Sequence, residues 1–136
     1  MSAVAEQMKP ESNAILRAGI IAAVVTTVVN SILYVIGSQF TFPADAITML
    51  GAPLTLPLIA FATFAGGIVA AVGYIILLGR FPVATAKQIA TIGAVVIVIA
   101  MGIMPFTISN VDGAQILMLN IMHIVAALPI AVVIRQ

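Results

Sequence analysis

The sequence predicts an all-α fold, a four-helix transmembrane bundle with both termini on the cytoplasmic side. Three observations carry that expectation. The chain has 136 residues, of which 63% are hydrophobic and only 7% charged, with a mean hydropathy of +1.30. A water-soluble domain carries about 25% charged residues. A soluble globular domain, a disordered chain and a nucleic-acid binder are therefore excluded. Second, the charges at Glu6, Lys9, Glu11, Arg17, Asp45, Arg80, Lys87, Asp112 and Arg135 leave four long uncharged stretches between them. A helix needs about 20 apolar residues to cross the hydrocarbon core. Third, these are continuous apolar runs, not the alternating segments of about ten residues that build a membrane β-barrel.

The elements follow in order. Residues 1–13 form a cytoplasmic tail, and Ser12 or Asn13 can cap a lead-in to the first span. The first span covers about 18–36. Its basic flank resembles that of a signal peptide, but its apolar run exceeds the usual 7–15 residues. The Ala44–Asp45–Ala46 site also lies well beyond its end, so an uncleaved helix is expected. Residues 37–56 form the longest outer loop. Pro43 to Leu50 could lie there as a short surface helix anchored by Phe40, Phe42 and Met49, although a packed lid without separate function is the simpler reading. The second span covers about 57–78, with Pro57 in the first turn, where its missing N–H costs nothing. The third covers about 88–104, a little short, and Pro105 can close it. Asn110 and Asp112 mark the turn into the fourth span, about 114–134.

Orientation comes from the basic residues. Lys9 and Arg17 precede the first span, Arg80 and Lys87 join the second to the third, and Arg135 follows the fourth. The other two loops hold only acids. The positive-inside rule places both termini and the middle connection in the cytoplasm. The expected location is the cell membrane, as a multi-pass protein.

Lipid offers no hydrophobic drive for helix association, so small residues mark the faces where backbones approach. Ala62, Gly66, Ala70 and Gly73 form such a stripe in the second span, and Ala86, Ala90 and Gly93 in the third. With a short turn from Gly79 to Ala86, a tight hairpin of spans two and three is expected. The alternative use is a homodimer contact through the Gly66–Ala70 face. Pro129 removes one backbone hydrogen bond inside the fourth span and is expected to kink it near Val125.

Polar groups in the spans are few. Thr26, Thr27 and Asn30 lie in the first, Thr63 in the second, Asn120 and His123 in the fourth. Counting 1.5 Å per residue, Asn30, Thr63 and Asn120 share one layer roughly 9 Å below the outer surface. His123 stands one turn deeper, on the Asn120 face. One reading is an interhelical clamp in which Asn30 pairs with Asn120 or His123. The other is an outward-opening ligand or proton site with His123 as the titrating group.

Chemistry is constrained further by what is missing. The chain has no cysteine, one histidine and no tryptophan. Thiolate catalysis, Cys-ligated zinc, iron–sulfur clusters and a bis-histidine haem within one chain are excluded. No carboxylate lies inside a span, whereas small four-helix multidrug exporters use an embedded Glu, and a diiron bundle needs facing Glu and His pairs. No catalytic residues, metal or cofactor are expected.

The segments RAGIIAAVVTTVVNSILYVIG (17–37), LTLPLIAFATFAGGIVAAVGYIILLGR (54–80) and LMLNIMHIVAALPIAVVIR (117–135) resemble a family of small bacterial four-span proteins classed as a domain of unknown function. The shared features are Arg17 before the first span, Asn30 within it, the Pro-led second span with its Gly pair, and Met122–His123 followed by Ala126 and Ala127. The resemblance implies the four-helix fold in a bacterial inner membrane and no established activity. The functional expectation is a non-catalytic membrane protein, a subunit or accessory of a larger assembly that acts through helix and lipid contacts. Its partners would be the bilayer and a membrane protein or a second copy. The alternative is a small transporter or binder of an apolar ligand at the Asn30–Thr63–Asn120–His123 layer.

Overall fold

In a computed structural model, residues 9–40, 48–49, 52–109 and 111–136 are described. Four helices dominate: α1 (Ser12–Phe40), α2 (Leu56–Arg80), α3 (Val83–Ile103) and α4 (Gly113–Ile134). Each is long and apolar enough to cross a membrane. Helices suit these sequences because hydrocarbon offers no partner for backbone N–H and C=O groups, and a helix satisfies them internally.

Several boundaries differ from the expected ones, each for a local reason. Helix α1 has 29 residues, well beyond 18–36 at both ends. The Ile15 N–H bonds the Glu11 carbonyl, so the cap position falls on Glu11 and not on Ser12 or Asn13. At about 43 Å, α1 exceeds a hydrocarbon core of about 30 Å and must tilt or protrude. Helix α3 begins at Val83, directly after Pro82, so the turn is far shorter than Gly79 to Ala86. Lys87 thus belongs to the helix, where its long stem can carry the ammonium to the surface. Pro105 does not end α3 directly. The helix stops at Ile103 and tightens into a 3-10 turn, Met104–Thr107, in which Pro105 is buried.

Helix α4 starts at a full capping box. The Gln115 N–H donates to Asp112 Oδ1 at 2.8 Å, and the Asp112 N–H donates to Gln115 Oε1 at 2.9 Å. Asn110 lies outside the described residues. Helix α4 runs unbroken through Pro129, which is buried. In the outer loop, β1 (Thr48–Met49) pairs antiparallel with β2 (Ala52–Pro53). Thr48 and Met49 are therefore extended, which excludes them from the surface helix offered as the alternative to a packed lid. The rest of Pro43 to Leu50 lies outside the described residues.

The core is built by α1, α2 and α4. Helix α1 turns Gly19, Ala23, Thr26, Asn30 and Tyr34 inward, one stripe at spacings of three and four. Helix α2 meets it with Thr63, Gly67, Ala71, Tyr74 and Leu78. The approach is very close. A Cβ at Gly67 would stand 2.6 Å from Ala23 Cβ and 3.4 Å from Pro129 Cβ, and one at Gly19 would collide with Ala71. The tight pair is thus α1–α2, and the expected α2–α3 hairpin is a loose contact. Only 6% of the apolar window of α3 is buried, against 33%, 28% and 22% for α1, α2 and α4. Ala86 is the one residue of α3 that is fully buried.

Two apolar clusters close the ends of the bundle. Ile15, Ala71, Tyr74, Leu78, Ala86 and Val133 pack at the end that carries Arg17, Arg80, Lys87 and Arg135. Tyr34, Leu54, Ile59, Leu119 and Met122 pack at the other. There the Tyr34 hydroxyl donates to the Leu54 carbonyl at 2.8 Å and ties the end of α1 to the strand-led entry of α2. These four basic residues thus gather at one end of the bundle.

Candidate functional site

The polar residues within the helices divide into two groups. Asn30 sits on the buried stripe of α1, 2% exposed. Its Nδ2 donates to Thr63 Oγ1 at 3.1 Å and to the Met122 carbonyl at 3.0 Å. One carboxamide therefore ties α1 to both α2 and α4. Thr26, a turn earlier on α1, spends its hydroxyl on its own helix, donating to the Ala22 and Ala23 carbonyls at 2.8 and 3.2 Å.

Asn120 and His123 face elsewhere. The buried face of α4 runs through Gln115, Leu119, Met122, Pro129 and Val133. Asn120 and His123 each follow a buried residue by one position, about 100° around the helix, which turns them toward α3. Asn120 Nδ2 donates to the Ile116 carbonyl of its own helix at 3.1 Å. Its Oδ1 faces Gly102 of α3, 3.5 Å from where a Cβ there would stand. His123 lies at the Met101 backbone of α3. The expected pairing of Asn30 with Asn120 or His123 is thus replaced by Asn30 with Thr63 and a backbone carbonyl. The four polar residues form two neighbouring sites, one inside the three-helix core and one along the α3–α4 seam.

Four buried polar atoms have no hydrogen-bond partner among the described residues: Thr27 Oγ1, Asn30 Oδ1, Tyr74 OH and His123 Nδ1. Such groups are costly in a low-dielectric interior. No three metal-ligating side chains gather among the described residues.

The small-residue stripes also separate. On α2 the residues Ala62, Gly66, Ala70 and Gly73 were expected to pack internally. They stand one position before the buried set Thr63, Gly67, Ala71 and Tyr74 and face outward. Ala62 and Gly66 are exposed, Ala70 and Gly73 partly so. Nothing lies within 4 Å of a Cβ built on Gly66 or Gly73, and the same holds for Gly93 on α3. Ala90 is partly buried against the cluster that includes Ala86. Gly19 and Gly67 are glycines that do pack internally. The pattern Gly19-x-x-x-Ala23 in the first span is the sequence signal for that contact.

The chain matches the model of the Family of unknown function (DUF6069) over residues 10–136. No curated protein and no solved structure matches it. The chain belongs to that family, and is a small four-helix membrane protein within it.

Proposed function

We propose that the protein is a non-catalytic subunit or accessory of a larger membrane assembly and acts through helix contacts within the bilayer. The observation that carries this reading is the open stripe of α2. Gly66 and Gly73 have free space before them, while Gly67 beside them is jammed against Ala23. Glycine in a helix interior costs about 1 kcal/mol relative to alanine. Small-residue stripes in membrane helices let a second backbone come close. At Gly67 that use is internal, and at Gly66 and Gly73 a helix from outside the chain would supply it. Helix α3 carries exposed apolar residues of its own, among them Ile92, Val96 and Ile103.

In this reading the chain sits in a cell membrane with both termini cytoplasmic, since Arg17, Arg80, Lys87 and Arg135 gather at one end. The occupant of the stripe is a membrane helix, of a second copy or of a different protein. Extraction from native membranes in mild detergent, with mass spectrometry of the proteins and small molecules retained, tests this. A stoichiometric companion or a homo-oligomer is expected, and a bare monomer would overturn the reading.

A second reading, binding of an apolar ligand at the polar layer, is favoured by the unpartnered Asn30 Oδ1 and His123 Nδ1. It is the weaker one, because the Asn30 amide is already engaged by Thr63 and Met122 and closed off inside the core.

A further inference from the structure

The seam between α3 and α4 opens into a groove toward the basic end of the bundle. Its volume is about 500 Å³, within the roughly 300–1,000 Å³ that ligand sites occupy. The walls are almost wholly apolar, with Val95, Val98 and Ile99 on α3 and Ile124, Ala127 and Ala131 on α4. Two features of the groove identify an occupant.

The first is length. Along α4 the groove runs from Ile124 to Arg135, about 16 Å at 1.5 Å per residue. That is half of a hydrocarbon core of about 30 Å, the depth of one leaflet. Beyond Ile124 the seam is filled, by His123 at Met101 and by Asn120 at Gly102. A partner helix would need a groove over the whole span, whereas an acyl chain needs one leaflet of it.

The second is charge. Arg135 lines the mouth of the groove. Lys87 stands on the same face of α3, one turn outward from Thr91, which also lines it; the Thr91 hydroxyl donates to the Lys87 carbonyl at 2.8 Å. No ion pair neutralises Arg135 among the described residues. An apolar channel one leaflet deep, ending at an exposed guanidinium, has the form of an acyl chain with an anionic phosphate at its head, which a guanidinium can grip with two parallel hydrogen bonds.

We propose that the α3–α4 groove is a binding site for one anionic phospholipid, its acyl chain between Val98 and Ala131 and its phosphate on Arg135. The site is independent of the open stripe on α2 and stands whether or not that stripe has a partner.

Native mass spectrometry of the detergent-solubilised protein, titrated with phosphatidylglycerol or phosphatidylcholine of identical chains, tests it. One bound phosphatidylglycerol per chain is expected, preferred over phosphatidylcholine about fivefold, the ratio that corresponds to about 1 kcal/mol for one basic side chain at an anionic headgroup. Arg135→Gln should bring the two lipids level, and Arg135→Lys should keep most of the preference. Ala131→Phe fills the groove from an exposed wall position, so it should lose both lipids while the thermal midpoint stays unchanged. Equal retention of the two lipids by the wild type, an undiminished preference in Arg135→Gln, or full retention in Ala131→Phe would each overturn the site.

Discussion

Gly66 and Gly67 are adjacent, chemically identical and oppositely placed. Gly67 admits Ala23 at a distance no larger residue would permit, and Gly66 faces open space. Gly67→Ala should therefore lower stability by about 1–3 kcal/mol, as overpacking of a close contact does. Gly66→Ala should be neutral or stabilising by up to about 1 kcal/mol through helix propensity. Thermal unfolding of both variants in one detergent makes the comparison, and equal effects would contradict the assignment of faces. The sequence shows that small residues matter in the second span without showing which stripe is internal. In water, polarity marks the outer face of a helix. In lipid both faces are apolar, so a stripe of Ala and Gly fits an internal contact and an external one equally well. Asn30 was legible, because a carboxamide in hydrocarbon needs a partner. Of its two partners, Thr63 lay in the same expected layer, whereas the Met122 carbonyl is a backbone group that no side chain announces.

At the scale of the elements, the helices were legible in number and type, and their ends less so. The third helix begins at Val83, earlier than the charge of Lys87 suggests, because a lysine within the first turns can extend to the surface. The start of α4 was marked by Asp112, whose box with Gln115 supplies both orphan donors with acceptors. Asp112→Ala should cost about 1 kcal/mol. The loss should be largely shared with Gln115→Ala, so a double-mutant cycle by thermal unfolding should show coupling. Full additivity would mean the two side chains act separately. The looseness of α3 was not legible, since its composition matches that of its neighbours. Only the spacing of Gly19 and Ala23, facing Gly67 and Ala71, explains why α1 and α2 close on each other and leave α3 outside.

For the whole molecule, the count of nine charges in 136 residues decides the class, and their placement gives a testable orientation. The chain has no cysteine, so single cysteines can be introduced against a blank background. Gly79 and Ser109 are exposed at opposite ends. An impermeant thiol reagent should label Ser109→Cys in intact cells, and Gly79→Cys only once the membrane is opened. The reverse pattern would invert the topology. The architecture is uneven: α1, α2 and α4 hold the fold, while the outer face of α2 and most of α3 are left uncovered by the described residues.

In the proposed function the open stripe of α2 receives another helix. The most direct measurement compares wild-type protein with Gly66→Leu after mild extraction from native membranes, reading both the mass of the complex and the thermal midpoint of the purified chain. The side chain has room within the chain itself, so the expected result is an unchanged midpoint with the companion or second copy lost. An intact complex in the Gly66→Leu variant, or a fall in the midpoint as large as that of Gly67→Ala, would contradict it.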